Sequence, residues 1–132
     1  MRLAVLVDTF PRWSERFIAR ELGELKRRGV DFSVFCLKAG DDAAAQDDAD
    51  WRGLIERRVV LPSCIVPRAI DDSHFPPEIR QKRARVRKEI GLLAYSKIQC
   101  AEVLAGLLKS GGYGLLYAHF ASLPSTLGWL AA

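Results

Sequence analysis

Of 132 residues, only three are cysteine, two histidine and one methionine. Cys36, Cys64 and Cys100 are odd in number, widely spaced and without a C-x-x-C pair. That spacing excludes a disulfide framework and a zinc site and makes a reducing compartment the expectation. Asp, Glu, Lys and Arg are all missing from 110–132, but Gly111-Gly112, His119 and Pro124 interrupt the stretch, so no transmembrane span is expected. The N-terminal apolar run Leu3–Val7 stops at Asp8, too short for the core of a signal peptide. No repeat period is found. With 49% hydrophobic and 27% charged residues the chain is not of the disordered class. A net charge of +4 is too modest to imply nucleic acid, and no nucleic-acid partner is expected.

What is present reads as an α/β chain of one domain. Arg2–Asp8 is apolar at consecutive positions, the pattern of a strand covered on both faces of a parallel sheet. After a turn around Pro11, Ser14 is the expected N-cap of a helix, with Glu15 in its first turn. Ile18, Leu22 and Leu25 form the apolar stripe of that helix, and Gly29 is its C′ residue. Val30–Leu37 is a second strand, residues 41–50 are a solvated acidic loop or a frayed helix start leading into Trp51–Arg58, and Val59–Leu61 is a short third strand. Residues 78–108 have helical periodicity, but one straight helix would span about 45 Å. A break is expected near Gly91. Leu115–Ala118 is a fourth strand, and Pro124 opens a last helix. The expected fold is a Rossmann-like parallel sheet of about four strands, order 3-2-1-4, flanked by helices and incomplete at its C-terminal end.

In such a sheet, ligands bind beyond the carboxyl ends of the strands, here at Asp8–Glu15 and His119–Ser125. Backbone N–H groups near Ser14 and Glu15 offer a place for a phosphate or sugar hydroxyl, and His119 offers a donor, acceptor or proton carrier. The alternative is that Ser14 and His119 merely cap their helices. Asp48-Ala49-Asp50 spells a D-x-D, but it sits among Asp41, Asp42 and Asp47 in an alanine-rich stretch, so a solvated loop is expected and no metal site. Arg80, Arg83 and Arg87 share one side of the helical segment. They are either a solvated face or a patch for anionic lipid headgroups; the lack of interleaved aromatics argues against nucleic acid. His74 is assigned no role.

Two phrases carry a family resemblance. V-D-T-F-P-R-W-S-E-R-F-I-A-R-E-L-x-x-L-x-x-R-G at 7–29 resembles the start of bacterial family-4 glycosyltransferases of the exopolysaccharide and colanic-acid type. There a first strand leads into F/Y-P-x-x-S-E-T-F-I, then R-E-x-x-x-L and R-G. L-L-Y-A-H-F-A-S at 115–122 is similar to the group's later H-A-H-F-A. The chain departs from the pattern at Arg16, where the group has Thr, and at Tyr117, which replaces the first histidine.

The resemblance implies the N-terminal, acceptor-binding half of a two-domain GT-B enzyme. Such an enzyme moves a sugar, with retention, from a nucleotide-sugar to a saccharide acceptor that is often lipid-linked. It needs no metal or other cofactor. Phe10, Pro11, Arg12, Ser14, Glu15, Phe120 and Ser122 are then substrate-binding, and His119, matching the motif's second histidine, is catalytic. The paired glutamates of the donor domain are missing, since no Glu lies eight positions before another. The resemblance therefore implies a fragment that is inactive alone, whose partners are the acceptor and a donor-binding domain; the basic face of Arg80, Arg83 and Arg87 adds an anionic membrane surface. The expected location is the cytoplasm, at the inner face of the plasma membrane. The alternative from another class is a non-catalytic Rossmann-like binding module with a basic docking helix.

Overall fold

The computed structural model describes residues 1–42, 49–61, 73–90, 93–119 and 130–131. Strand β1 (Arg2–Phe10) leads through a 3-10 turn (Trp13–Glu15) into helix α1 (Arg16–Arg27), followed by β2 (Phe32–Ala39). Then come α2 (Ala49–Ile55), β3 (Arg58–Val60), α3 (Pro77–Ile90), α4 (Leu93–Ser110) and β4 (Tyr113–Ala118). Leu130 and Ala131 are helical. The sheet has four strands in the order β3-β2-β1-β4, and all its pairings are parallel. This is the expected Rossmann-like architecture.

The consecutive apolar run of β1 has a direct cause. Between β2 and β4 the strand is central, and Ala4–Val7 are buried whichever way they point. Val5 and Val7 join Phe32, Val34 and Cys36 in a core with Ile18 and Leu22 of α1 and Trp51 and Leu54 of α2. Ala4 and Leu6 join Phe35 and Leu61 in a second core under Ala101 and Leu104 of α4. Helices thus cover both faces. Right-handed crossovers require this where the strand order reverses from β3 back to β4. Helix α3 is fastened to α4 through Val86 and Ile98, with Leu130 against them.

Helix α1 ends as its sequence predicts. Gly29 takes φ +73°, Val30 N–H bonds Leu25 C=O at 3.0 Å, and Gly29 N–H bonds Lys26 C=O at 3.0 Å, a Schellman closure. Its start differs from expectation. Glu15 occupies the N-cap position and no side chain caps the helix, because the 3-10 turn precedes it. Residues 78–108 do not form one straight helix, since Arg83 of α3 reaches Glu102 of α4; Gly91, where the break is expected, lies outside the described residues. Pro124 and its helix start also lie outside them. Strand β1 runs two residues past Asp8, to Phe10, because it keeps its ladder with β2 (Phe10 opposite Ala39) after its pairing with β4 has stopped at Leu6–Ala118.

The segments that follow β1 and β2 come into close contact at Gly40. A Cβ on Gly40 would stand 1.6 Å from the Pro11 carbonyl oxygen, whereas a Cβ on Gly23, in mid-α1, would meet nothing within 4 Å. Gly40→Ala is therefore expected to cost about 3 kcal/mol or more, because backbone has to move. Gly23→Ala is expected to stabilise by about 1 kcal/mol through helix propensity. Urea unfolding of the two variants checks both signs.

Candidate functional site at the carboxyl edge of β1 and β4

The order β3-β2-β1-β4 makes β1/β4 the place where successive connections diverge, and both strands present their carboxyl ends on the same edge. There β1 overhangs β4: Val7–Phe10 continue beyond the last β1–β4 pair, Leu6 opposite Ala118. The chain leaves β4 at His119, whose N–H extends the ladder to Leu6 C=O at 3.0 Å. The imidazole is only 6% exposed. Its Nε2 stands 3.6 Å from Glu21 Oε2 of α1, an ion pair whenever the ring is protonated. Tyr117 lies beside it, ring centroids 4.7 Å apart, and is itself 42% exposed. Leu115, two residues earlier on the same side of β4, is likewise exposed, so α1 and α2 leave this part of the sheet face uncovered.

The β1–α1 turn is arranged differently from expectation. Ser14 is exposed, and Glu15 N–H is already committed to Arg12 C=O at 2.9 Å, so this amide is not available to a ligand. The Glu15 carboxylate accepts from Arg12 Nη1 at 3.4 Å. Phe10 corrects the substrate-binding expectation for its side chain. The ring is 1% exposed and packs edge-on against Trp51 at 5.4 Å, so it belongs to the core. Pro11, joined to Phe10 by a cis peptide bond, is buried as well. Among the described side chains of the turn, Arg12 and Ser14 are exposed and Glu15 is half-buried. Phe120 and Ser122 lie outside the described residues.

The end of β1 is held by an ionic fork. Arg58, at the start of β3, places both terminal nitrogens on the two carboxylate oxygens of Asp42, one of them at 2.8 Å. Its Nη1 also reaches the Phe10 carbonyl oxygen at 3.3 Å, which accepts Gly40 N–H at 3.0 Å. The bond from Arg58 holds the Asp42 carboxyl below its usual range. Burial pushes the Cys36 thiol up to about 11, against the opposing influence of Arg58, so at neutral pH Cys36 is a protonated core side chain.

The basic face of α3 is only partly as expected. Arg80 is exposed and Arg87 half-buried, but Arg83 is 6% exposed. Its guanidinium lies 4.4 Å over the Phe75 ring and bonds Glu102 Oε1 of α4 at 2.9 Å. Arg83 shares its side of the helix with buried Val86, three residues on. It is therefore removed from the patch. In the D-x-D, Ala49 opens α2, and Asp48 lies outside the described residues. Among the described residues no cluster of three or more His, Cys, Asp or Glu is arranged to hold a metal ion.

No family model, curated protein or solved structure matches the chain. The site's main unforeseen member is Glu21, whose signal was the Arg20-Glu21 pair of the R-E-x-x-x-L phrase. A carboxylate–imidazole pair beside a half-exposed aromatic ring offers hydrogen-bonding groups next to an apolar face. Sugars present the same combination of hydroxyls and C–H faces.

The Asp42–Arg58 fork gives a pH dependence with a definite sign. A carboxyl whose folded-state value is depressed contributes stability above its ordinary range near pH 4, and that contribution is lost as pH falls through the folded value. The melting-temperature difference between the parent chain and Asp42→Asn is expected to be largest near pH 7 and to shrink below about pH 4. A difference that stays constant across that window contradicts the assignment.

Proposed function

We propose that this chain is the acceptor-side domain of a retaining glycosyltransferase that moves a sugar from a nucleotide-sugar to a saccharide, lipid-linked, in bacterial surface-polysaccharide assembly. The observation that carries the proposal is the grouping of His119, Glu21 and Tyr117 at the β1/β4 switch point, on the edge where the Arg12–Glu15 turn also lies. Both resembling phrases contribute to that edge, the first through Glu21 and the turn, the second through His119. In this reading the Tyr117 ring takes the C–H face of a pyranose and His119, oriented by Glu21, bonds a hydroxyl. Rate acceleration requires a donor-binding domain to close over the bound acceptor. Closure aligns the reacting atoms and supplies groups that stabilise the departing phosphate, and the part played by these residues is to bind and orient the acceptor.

The membrane part of the proposal rests on Arg80 and Arg87 of α3, without Arg83. No described helix is long and apolar enough to cross a membrane, so attachment would be peripheral, at the cytoplasmic face. Co-sedimentation with phosphatidylglycerol vesicles is expected to exceed that with phosphatidylcholine vesicles and to fall with added salt. Equal binding to both removes the membrane from the proposal.

The site is tested with short alkyl glycosides of glucose, galactose and mannose, below their micelle concentrations, as acceptor stand-ins. The chain is expected to bind at least one of them. His119→Gln is expected to weaken binding about tenfold, which is about 1.4 kcal/mol. Glu21→Gln should weaken it less, with the fold retained in both variants by circular dichroism. Glutamine is preferred to alanine because His119 is buried and alanine would leave a cavity. Binding indifferent to position 119, or no glycoside binding at all, contradicts the proposal.

A further inference from the structure

We propose that Arg58 is a positioning residue for the acceptor edge: with Asp42 it clamps the last carbonyl of β1 and so fixes where the Arg12–Glu15 turn stands. The inference rests on the reading above for what that edge binds, but the clamp itself is argued from geometry alone.

Beyond Phe10 the chain leaves the ladder. The turn that follows is closed internally, by Glu15 N–H to Arg12 C=O and by the Arg12–Glu15 ion pair. Internal bonds give the turn a shape but do not fix its position against the sheet. Position has to come from contacts at its root, and these converge on two residues. The Phe10 ring is wedged against Trp51. The Phe10 carbonyl oxygen accepts from Gly40 N–H and Arg58 Nη1, and Pro11 lies close against Gly40.

Arg58 joins three separate stretches of chain: the end of β1, the segment following β2 through Asp42, and the start of β3. Arginine suits this task because its planar fork can bond both carboxylate oxygens and still reach a third acceptor. A lysine ammonium keeps the charge without the fork. The Arg58 side chain is 15% exposed and that of Asp42 41%, so the guanidinium is shielded from water while its carboxylate partner stays partly solvated. Neither Arg58 nor Asp42 belongs to the two phrases that resemble the glycosyltransferases.

Amide hydrogen exchange and glycoside binding, measured together on Arg58→Met, Arg58→Lys and Asp42→Asn, test the clamp. In Arg58→Met the Gly40 and Glu15 amides are expected to exchange at least tenfold faster than in the parent chain, while Val5 and Val34 in the sheet keep their protection. Glycoside affinity should fall about fivefold in parallel. Arg58→Lys is expected to lie between Met and the parent in both readouts, and Asp42→Asn should resemble it. A uniform rise in exchange through β1 and β2 would make Arg58 merely structural, and no rise at Gly40 and Glu15 would make it idle. Either result overturns the inference. The two readings fail separately. If the exchange pattern holds while the parent binds no glycoside, the clamp stands and the saccharide reading falls. If His119-dependent glycoside binding holds while position 58 changes nothing, the reverse follows.

Discussion

Burial of β1 on both faces is the constraint from which the rest of the structure follows. A strand with Ala4–Val7 sealed on either side has to be central, and a central strand with parallel neighbours needs helices on both layers. Helices α1 and α2 supply one layer and α4 the other. The reversal that places β4 beside β1 leaves their carboxyl ends adjacent on one edge of the sheet. The proposed function lies at that edge, where Arg12 and Ser14 stand exposed beyond a strand that the core holds fixed.

The edge is built unevenly. On the β4 side the chain gives up an apolar position to His119, buried yet facing a partly exposed glutamate and an exposed tyrosine. On the β1 side the strand overhangs, and its last residue is held by an aromatic wedge below and an ionic fork beside it. The β4 side therefore supplies polar chemistry and an aromatic surface, and the β1 side supplies a rigid root for a turn. A saccharide site needs both, since weak contacts to hydroxyls discriminate only when the groups making them are held still.

Much of the fold was legible in the sequence because its strongest signals were local. The unbroken apolar run of β1, the stripe of Ile18, Leu22 and Leu25, and Gly29 at the helix end each have one physical explanation, and the structure bears each out. The end of β1 was not legible. Polar Asp8 and Thr9 look like a turn, yet pairing with β2 alone keeps the strand going to Phe10. Ser14 has the chemistry of a cap, but an intervening 3-10 turn moved the helix start beyond it. Periodicity permits Arg83 to share a side with Arg80 and Arg87 or with Val86, and only packing against α4 decides. Of the site, His119 and the turn were visible as motif residues. The partnership of His119 with Glu21 and the fork of Arg58 on Asp42 join residues distant in sequence, and no local pattern announces them.

The most direct measurement is the set of intermolecular nuclear Overhauser contacts between a bound alkyl glycoside and the isotope-labelled chain. Contacts from the sugar ring protons to the His119 imidazole and the Tyr117 ring, with further contacts in Arg12–Glu15, are the result expected. Sugar contacts confined to the opposite end of the sheet, around Arg2 and Tyr113, would contradict the account.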